Sequence, residues 1–138
     1  MTDTPQQTPA SKGTVLLVDD DKFLVDMYSA KFTHEGYAVN AFLSANNALD
    51  ALRKGLQPNV ILFDLIMPER DGFSFLEALS GEKLGQGAVK IALTNQNDEA
   101  EHTRAQQLGA DHYIVKASKI PSEVVNTVAN EITAQRHA

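Results

Sequence analysis

Five residues of this 138-residue chain have types suited to phosphoryl chemistry: Asp19, Asp20, Asp64, Thr94 and Lys116. Each follows a short apolar run. Val15–Val18 leads to the paired acids, Val60–Phe63 to Asp64, Ile91–Leu93 to Thr94 and Ile114–Val115 to Lys116. Runs of this kind, rich in β-branched and aromatic residues, read as buried strands. The polar residues would then emerge at the strands' carboxyl ends, where open parallel sheets collect their ligand and catalytic groups. Three carboxylates in one crevice repel one another, so a hard cation is needed. An oxygen-only donor set suits Mg²⁺ or, by the same chemistry, Mn²⁺. A divalent ion together with Lys116 would balance the three acids. An Asp carboxylate can then attack phosphorus while the cations absorb the charge on the transferring group, with Thr94 donating to one of its oxygens.

The elements that must position these groups alternate regularly. Strands are predicted over Thr14 to Val18, Tyr37 to Phe42, Asn59 to Asp64, Val89 to Thr94 and His112 to Val115. Between the first two, Leu24, Met27, Tyr28 and Phe32 recur at helical spacing until Gly36. Asp21 is suited to cap or charge the first turn of that helix. Ser44 is a candidate N-cap for a second helix that places Ala45, Ala48, Leu49 and Leu52 on one face and stops at Gly55. A third helix is predicted from Gly72 to Leu79, with Phe75, Leu76 and Leu79 on its stripe, followed by a loop from Ser80 to Gly87. A fourth runs from Asp98 to Leu108 before Gly109. A fifth starts near Pro121 and buries Val124, Val125, Val128 and Ile132. Five strands alternating with five helices imply an α/β parallel sheet covered on both faces.

Composition narrows the class. Hydrophobic residues make up 43% and charged residues 22%, ordinary globular usage, so one domain with a real core is expected. Met1 to Gly13 is polar and reads as a flexible tail, leaving 14–138 as the domain. The net charge of −6 without a Lys/Arg cluster argues against nucleic acid or an anionic membrane as partner. The absence of cysteine excludes disulfides, thiolate zinc sites and thiol nucleophiles, and no apolar run spans a membrane or forms a signal-peptide core. The expectation is a cytoplasmic protein. His34, His102, His112 and His137 lack ligand spacing and read as solvated.

The combined motifs resemble a response-regulator receiver domain of two-component signalling, of the single-domain chemotaxis-regulator type. The match runs from about Thr14 to the end. The resemblance implies a flavodoxin-like, doubly wound sheet of order 2-1-3-4-5. It assigns Asp64 as the phosphoacceptor, and Asp20 as a direct and Asp19 as a largely water-mediated metal ligand. The Ile66 backbone carbonyl would be a further ligand, Thr94 the switch hydroxyl, Tyr113 the switch aromatic and Lys116 the phosphate-binding lysine. The implied donor is a histidine kinase or histidine phosphotransfer protein. The implied output is altered binding of a downstream protein, or of a second copy of the chain, on the face formed by helix 4, strand 5 and helix 5. Because the chain ends at Ala138, soon after the last helix, that output is expected to be a surface rather than an attached effector. A receiver fragment of a longer protein would present the same face to a domain lying outside this sequence.

Three residues depart from the family pattern. Most members have Pro after the lysine, in a cis peptide that aims it; here Ala117 follows, and a cis non-prolyl bond costs ~3 kcal/mol. Asn95 replaces the usual Ala or Gly and should crowd the site or offer it a hydrogen bond. Ile66 is apolar where many members are polar, which should hinder the hydrolytic water and lengthen the signal. Beyond its own phosphoryl transfer and dephosphorylation, no enzyme activity is expected. The alternatives are a phosphorylation-independent docking module and a metal-dependent aspartate-nucleophile phosphohydrolase. The latter typically carries an Asp-x-Asp pair, whereas here Ile66 stands two residues after Asp64.

Overall fold

The computed structural model describes residues 12–116 and 119–136. Its elements are β1 Thr14–Val18, α1 Lys22–His34, β2 Ala38–Phe42, α2 Ala45–Arg53 and β3 Val60–Asp64. They continue with α3 Gly72–Glu82, β4 Val89–Thr94, α4 Glu99–Gln107, β5 His112–Val115 and α5 Pro121–Arg136. The five strands form one sheet in the order β2-β1-β3-β4-β5, with every pairing parallel. This is the parallel sheet covered on both faces that the alternation of elements leads one to expect, in the doubly wound, flavodoxin-like order that the receiver-domain resemblance implies.

Period-two alternation along the strands feeds two cores. Leu16 and Val18 of β1, Ile61 and Phe63 of β3 and Ala92 of β4 pack with α2 and α3 on one face. Val15, Leu17, Val60, Leu62, Ile91 and Leu93 point the other way, into a core built with α1 and α5. All five residues of β3 are buried, as a central strand covered on both sides requires. The expected faces of α2 and α5 are buried as well: Ala45, Ala48, Leu49 and Leu52, and Val124, Val125, Val128 and Ile132. By contrast, α4 is polar nearly all round, and Ala105 is its one fully buried residue. It is the helix least anchored by apolar contact.

Strand β3 starts one residue later than expected, at Val60, and α4 is one residue shorter at each end, where Asp98 and Leu108 are its caps; two other boundaries differ for reasons of packing. Helix α3 continues through Ser80, Gly81 and Glu82, three residues past Leu79, and is closed by Lys83 in the left-handed region at φ 57°. The Leu84 N–H returns to the Leu79 carbonyl at 2.9 Å. The extra turn carries Glu82 to Arg53 of α2, whose Nε and Nη2 meet its two carboxylate oxygens at 2.7 and 2.8 Å. That tertiary fork is invisible to local propensity. Tyr37 closes α1 instead of opening β2: its N–H bonds the Phe32 carbonyl and its ring meets the Phe32 ring edge-on at 6.1 Å.

The loop from β3 to α3 folds back tightly. The Gly72 N–H bonds the Leu65 carbonyl at 2.9 Å, and a Cβ at Gly72 would lie 2.7 Å from both the Asp64 carbonyl oxygen and the Leu65 Cα. Both obstacles are backbone, so neither can rotate away. Glycine is therefore required at the start of α3 by contact with the end of β3. A Gly72→Ala exchange, favourable by ~1 kcal/mol in an isolated helix interior, should here destabilise the fold by roughly 1–3 kcal/mol through overpacking. Urea denaturation measures this directly, and a midpoint equal to or above the parent's would contradict the steric account.

Candidate phosphoacceptor site

The parallel register brings the strand ends level. Val18 of β1 sits beside Phe63 of β3, Asp64 beside Leu93 of β4, and Thr94 beside Val115 of β5. The next residue along β1 is Asp19, and the next along β5 is Lys116. All five candidate residues thus arrive at one edge, in the crevice where the connections diverge to opposite faces.

Asp19, Asp64 and Thr94 are the buried polar residues among those described, at 1%, 4% and 1% exposure. Asp20 is exposed beside them, and the three acids present carboxylate oxygens within 4.8 Å of one another. The Lys116 Nζ donates to Asp19 Oδ2 at 2.8 Å and to Asp64 Oδ2 at 3.3 Å. The remaining oxygens are also engaged: Asp19 Oδ1 accepts from the Asp21 N–H at 3.0 Å, and Asp64 Oδ1 from the Ile66 N–H at 3.3 Å. Asp21 is the N-cap of α1, accepting from the N–H groups of Phe23 and Leu24.

One ammonium does not neutralise this cluster. Burial, followed by the charge of Asp19, pushes the Asp64 carboxyl up from 3.8 to about 6, although Lys116 pulls the other way. For Lys116, burial opposes the charged form, but the hydrogen bond to Asp19 and the charge of Asp64 outweigh it, so its pKa is raised. The hydroxyl of Tyr28, on the buried face of α1, is pushed up mainly by burial and also senses Lys116 and Asp19. Residual negative charge on an all-oxygen donor set fits a hard divalent cation. Asp19, Asp20 and Asp64 are the side chains available to hold one.

Around this centre the other candidates fall into two groups. Thr94 Oγ1 accepts from the Gln96 N–H at 3.5 Å. Tyr113 is half-buried, with its hydroxyl donating to the Gln96 carbonyl at 3.2 Å. Ile66 is exposed at 57%, and Asn95 is exposed next to Thr94. The peptide linking Lys116 to Ala117, residues 1–11 of the expected 1–13 tail and His137 lie outside the described residues; Lys12 and Gly13, also expected in the tail, are instead tied down beside β2, the Lys12 N–H bonding the Gly36 carbonyl at 3.0 Å and the Gly13 carbonyl accepting from the Ala38 N–H at 2.9 Å. His34 is exposed, as expected of a solvated side chain. His102 and His112 are exposed yet engaged: the His102 ring stacks on Tyr113, and His112 Nε2 lies 3.0 Å from Glu131. Sequence reasoning also missed Arg70, which donates to Asn46 Oδ1 at 2.9 Å and to Ser74 Oγ at 3.0 Å. It thereby pins the loop after Asp64 to the starts of α2 and α3.

This edge, with acids just after β1 and at the end of β3, a hydroxyl at the end of β4 and a lysine after β5, matches a known family. The family model for the response regulator receiver domain fits residues 15–128. The chain belongs to the response regulator receiver domain family. The response regulator SaeR of Staphylococcus aureus is 30% identical over 122 residues, which is 88% of this chain and 51% of SaeR. The receiver domain thus spans about half the length of that curated relative. Among solved structures, a CheY-like receiver domain protein from Methanospirillum hungatei superposes with TM-score 0.79 at 26% identity, covering 92% of this chain and 99% of that one. The chemotaxis protein CheY4 of Vibrio cholerae superposes with TM-score 0.78 at 26% identity, covering 85% and 96%. Receiver domains are regulatory parts of two-component response regulators rather than classical enzymes, and they bind Mg²⁺ through an acidic pocket. No helix among the described residues is long and apolar enough to cross a membrane.

The raised carboxyl has a stability consequence. Between about pH 4 and pH 6 the native state holds a proton on Asp64 that the unfolded chain has released, so stability falls as pH rises through that window. The shift is worth roughly 1–3 kcal/mol in the absence of divalent metal. Asp64→Asn removes that cost. In chelator the variant should exceed the parent's stability at about pH 7 but not at about pH 4. A difference between the two proteins that does not change with pH in urea titrations would refute the assignment.

Proposed function

We propose that this receiver domain is a phosphorylation-dependent signalling switch in which Asp64 accepts a phosphoryl group from a histidine kinase or a histidine phosphotransfer protein. The observation that carries the reading is the single ammonium of Lys116 spanning Asp19 and Asp64. It puts a cation beside the one strand-end carboxylate that lies on the central, fully buried strand.

Transfer needs few parts. An Asp64 carboxylate oxygen attacks phosphorus, the bond from phosphorus to the donor imidazole nitrogen breaks, and that nitrogen keeps the electron pair. Lys116 exchanges its Asp64 oxygen for a phosphoryl oxygen, and the Thr94 hydroxyl donates to another. Asp19, Asp20, Asp64 and the backbone carbonyl of Ile66 would hold Mg²⁺ or Mn²⁺. When bound, that ion supplies charge neutralisation for the phosphoryl oxygens. Water attacking the acyl phosphate reverses the modification, and Ile66 and Asn95 at the mouth are the residues that would tune its lifetime.

The rim supports a protein donor. The exposed large hydrophobic residues among those described are Phe23, Leu43, Ile66 and Ile120; Phe23 lies in the first turn of α1, and the other three on the connections following β2, β3 and β5. All four follow strand carboxyl ends, the edge at which the Asp64 carboxylate is recessed. Exposed apolar residues at that edge suit a macromolecular surface that lowers a side chain into the crevice. Output would run through Thr94 and Tyr113 to the α4–β5–α5 face, where a downstream protein or a second copy of the chain would bind with a coupling on the order of 1–3 kcal/mol.

Incubation with acetyl phosphate and Mg²⁺ should add one acid-stable, base-labile phosphoryl group by intact mass, and none to Asp64→Asn; equal labelling of the variant would sink the proposal. Asp20→Ala should lose most of the Mg²⁺ affinity, because too few anionic oxygens remain to strip waters from the ion. An unchanged Mg²⁺ titration in that variant would remove Asp20 from the ligand set.

A further inference from the structure

We propose that His102 is the positioning residue that couples Tyr113 to α4, so that the two rings move as one unit between the phosphoacceptor site and the α4 surface. This rests on the reading of Asp64 and Thr94 as the switch and adds the step by which that switch reaches a helix.

The contacts form an unbroken chain. Thr94 Oγ1 accepts from the Gln96 N–H at 3.5 Å, and the carbonyl of the same residue accepts from the Tyr113 hydroxyl at 3.2 Å. That hydroxyl also receives the Asp98 N–H at 3.4 Å. Asp98 is the N-cap of α4, its carboxylate accepting from the Glu101 N–H. One turn further on, the His102 imidazole lies parallel to the Tyr113 ring, with centroids 4.4 Å apart and planes 7° from parallel. The His102 N–H is bonded to the Asp98 carbonyl. Tyr113 therefore grips the first turn of α4 twice, by its hydroxyl at the cap and by its ring face at His102.

Two features make the ring contact decisive rather than incidental. Because Ala105 is the sole fully buried residue of α4, little apolar packing holds this helix to the sheet independently of Tyr113. The hydroxyl contacts, at 3.2 Å to the Gln96 carbonyl and at 3.4 and 3.5 Å to the Asp98 N–H and carbonyl, are long and shared among three groups, so by themselves they transmit displacement poorly. A flat ring stacked on a flat ring resists tilting of either partner. If Thr94 turned toward a phosphoryl oxygen, it would release the Gln96 N–H. The Gln96 carbonyl and Tyr113 would then shift, and the stack would carry α4 with them.

The test is an amide NMR titration of the whole chain with beryllofluoride and Mg²⁺, comparing the parent with His102→Ala and His102→Phe. Signals from 64–67 report occupancy of the site, and signals from 99–107 report the helix. All three proteins should shift at 64–67. The parent and His102→Phe should also shift at 99–107, while His102→Ala loses those helix shifts, because a benzyl ring restores the stack and a methyl group does not. Helix shifts in His102→Ala equal to the parent's would overturn the coupling, as would their loss in His102→Phe or their absence from the parent while 64–67 responds. No response at 64–67 in the parent would instead overturn the phosphoacceptor reading, and the coupling with it.

Discussion

Two carboxylates buried side by side at the edge of a sheet, with one ammonium between them, form an arrangement that the rest of this molecule has to hold in place. Left alone, Asp19 and Asp64 would repel each other and draw in water. Both are nearly inaccessible, and Lys116 is positioned from β5, which does not pair with the strand bearing either acid. The arrangement therefore exists only when five strands are in register, with β3 held between β1 and β4. Burial of every β3 side chain is what makes that register unambiguous, since a one-residue slip would reverse both faces at once.

The same edge divides into a rigid half and a compliant half. Asp64 continues into a loop locked by Gly72 against the strand backbone and by Arg70 against Asn46 and Ser74. Thr94 continues into a segment held by long hydrogen bonds, from the Gln96 N–H to Thr94 and between Tyr113 and Gln96 and Asp98, and then into the sparsely packed α4. Under the proposed function, chemistry that needs fixed geometry would fall on the first half, and change of shape on the second. This division follows from packing density alone, because conformational freedom concentrates where few apolar contacts are buried.

Much of this was legible in the amino-acid order. Apolar runs ending in Asp19, Asp64 and Thr94 marked three strands and the polar residues that meet at one sheet edge, and helical spacing of Val124, Val125, Val128 and Ile132 marked α5. Asp21 and Ser44 could be recognised as caps because capping is a local interaction. What escaped depends on partners distant in sequence. The extra turn of α3 is fastened by Arg53, 29 residues from Glu82. The reach of Lys116 to Asp19 spans 97 residues, so the sequence placed the two at one edge without showing that they touch. His102 read as solvated because the histidines lack ligand spacing; its stack on Tyr113 arises from the packing of α4 on β5, which no periodicity encodes.

The central claim is that Lys116 supplies the counter-charge that lets Asp19 and Asp64 share a buried site, with a divalent cation completing it. Thermal melting of the parent and of Lys116→Met, in chelator and in saturating Mg²⁺, tests this most directly. The account predicts a lower melting temperature for the variant in chelator, and a larger rise on adding Mg²⁺ than the parent shows, because more uncompensated charge awaits the ion. Equal melting temperatures in chelator, or a variant that gains nothing from Mg²⁺, would contradict it.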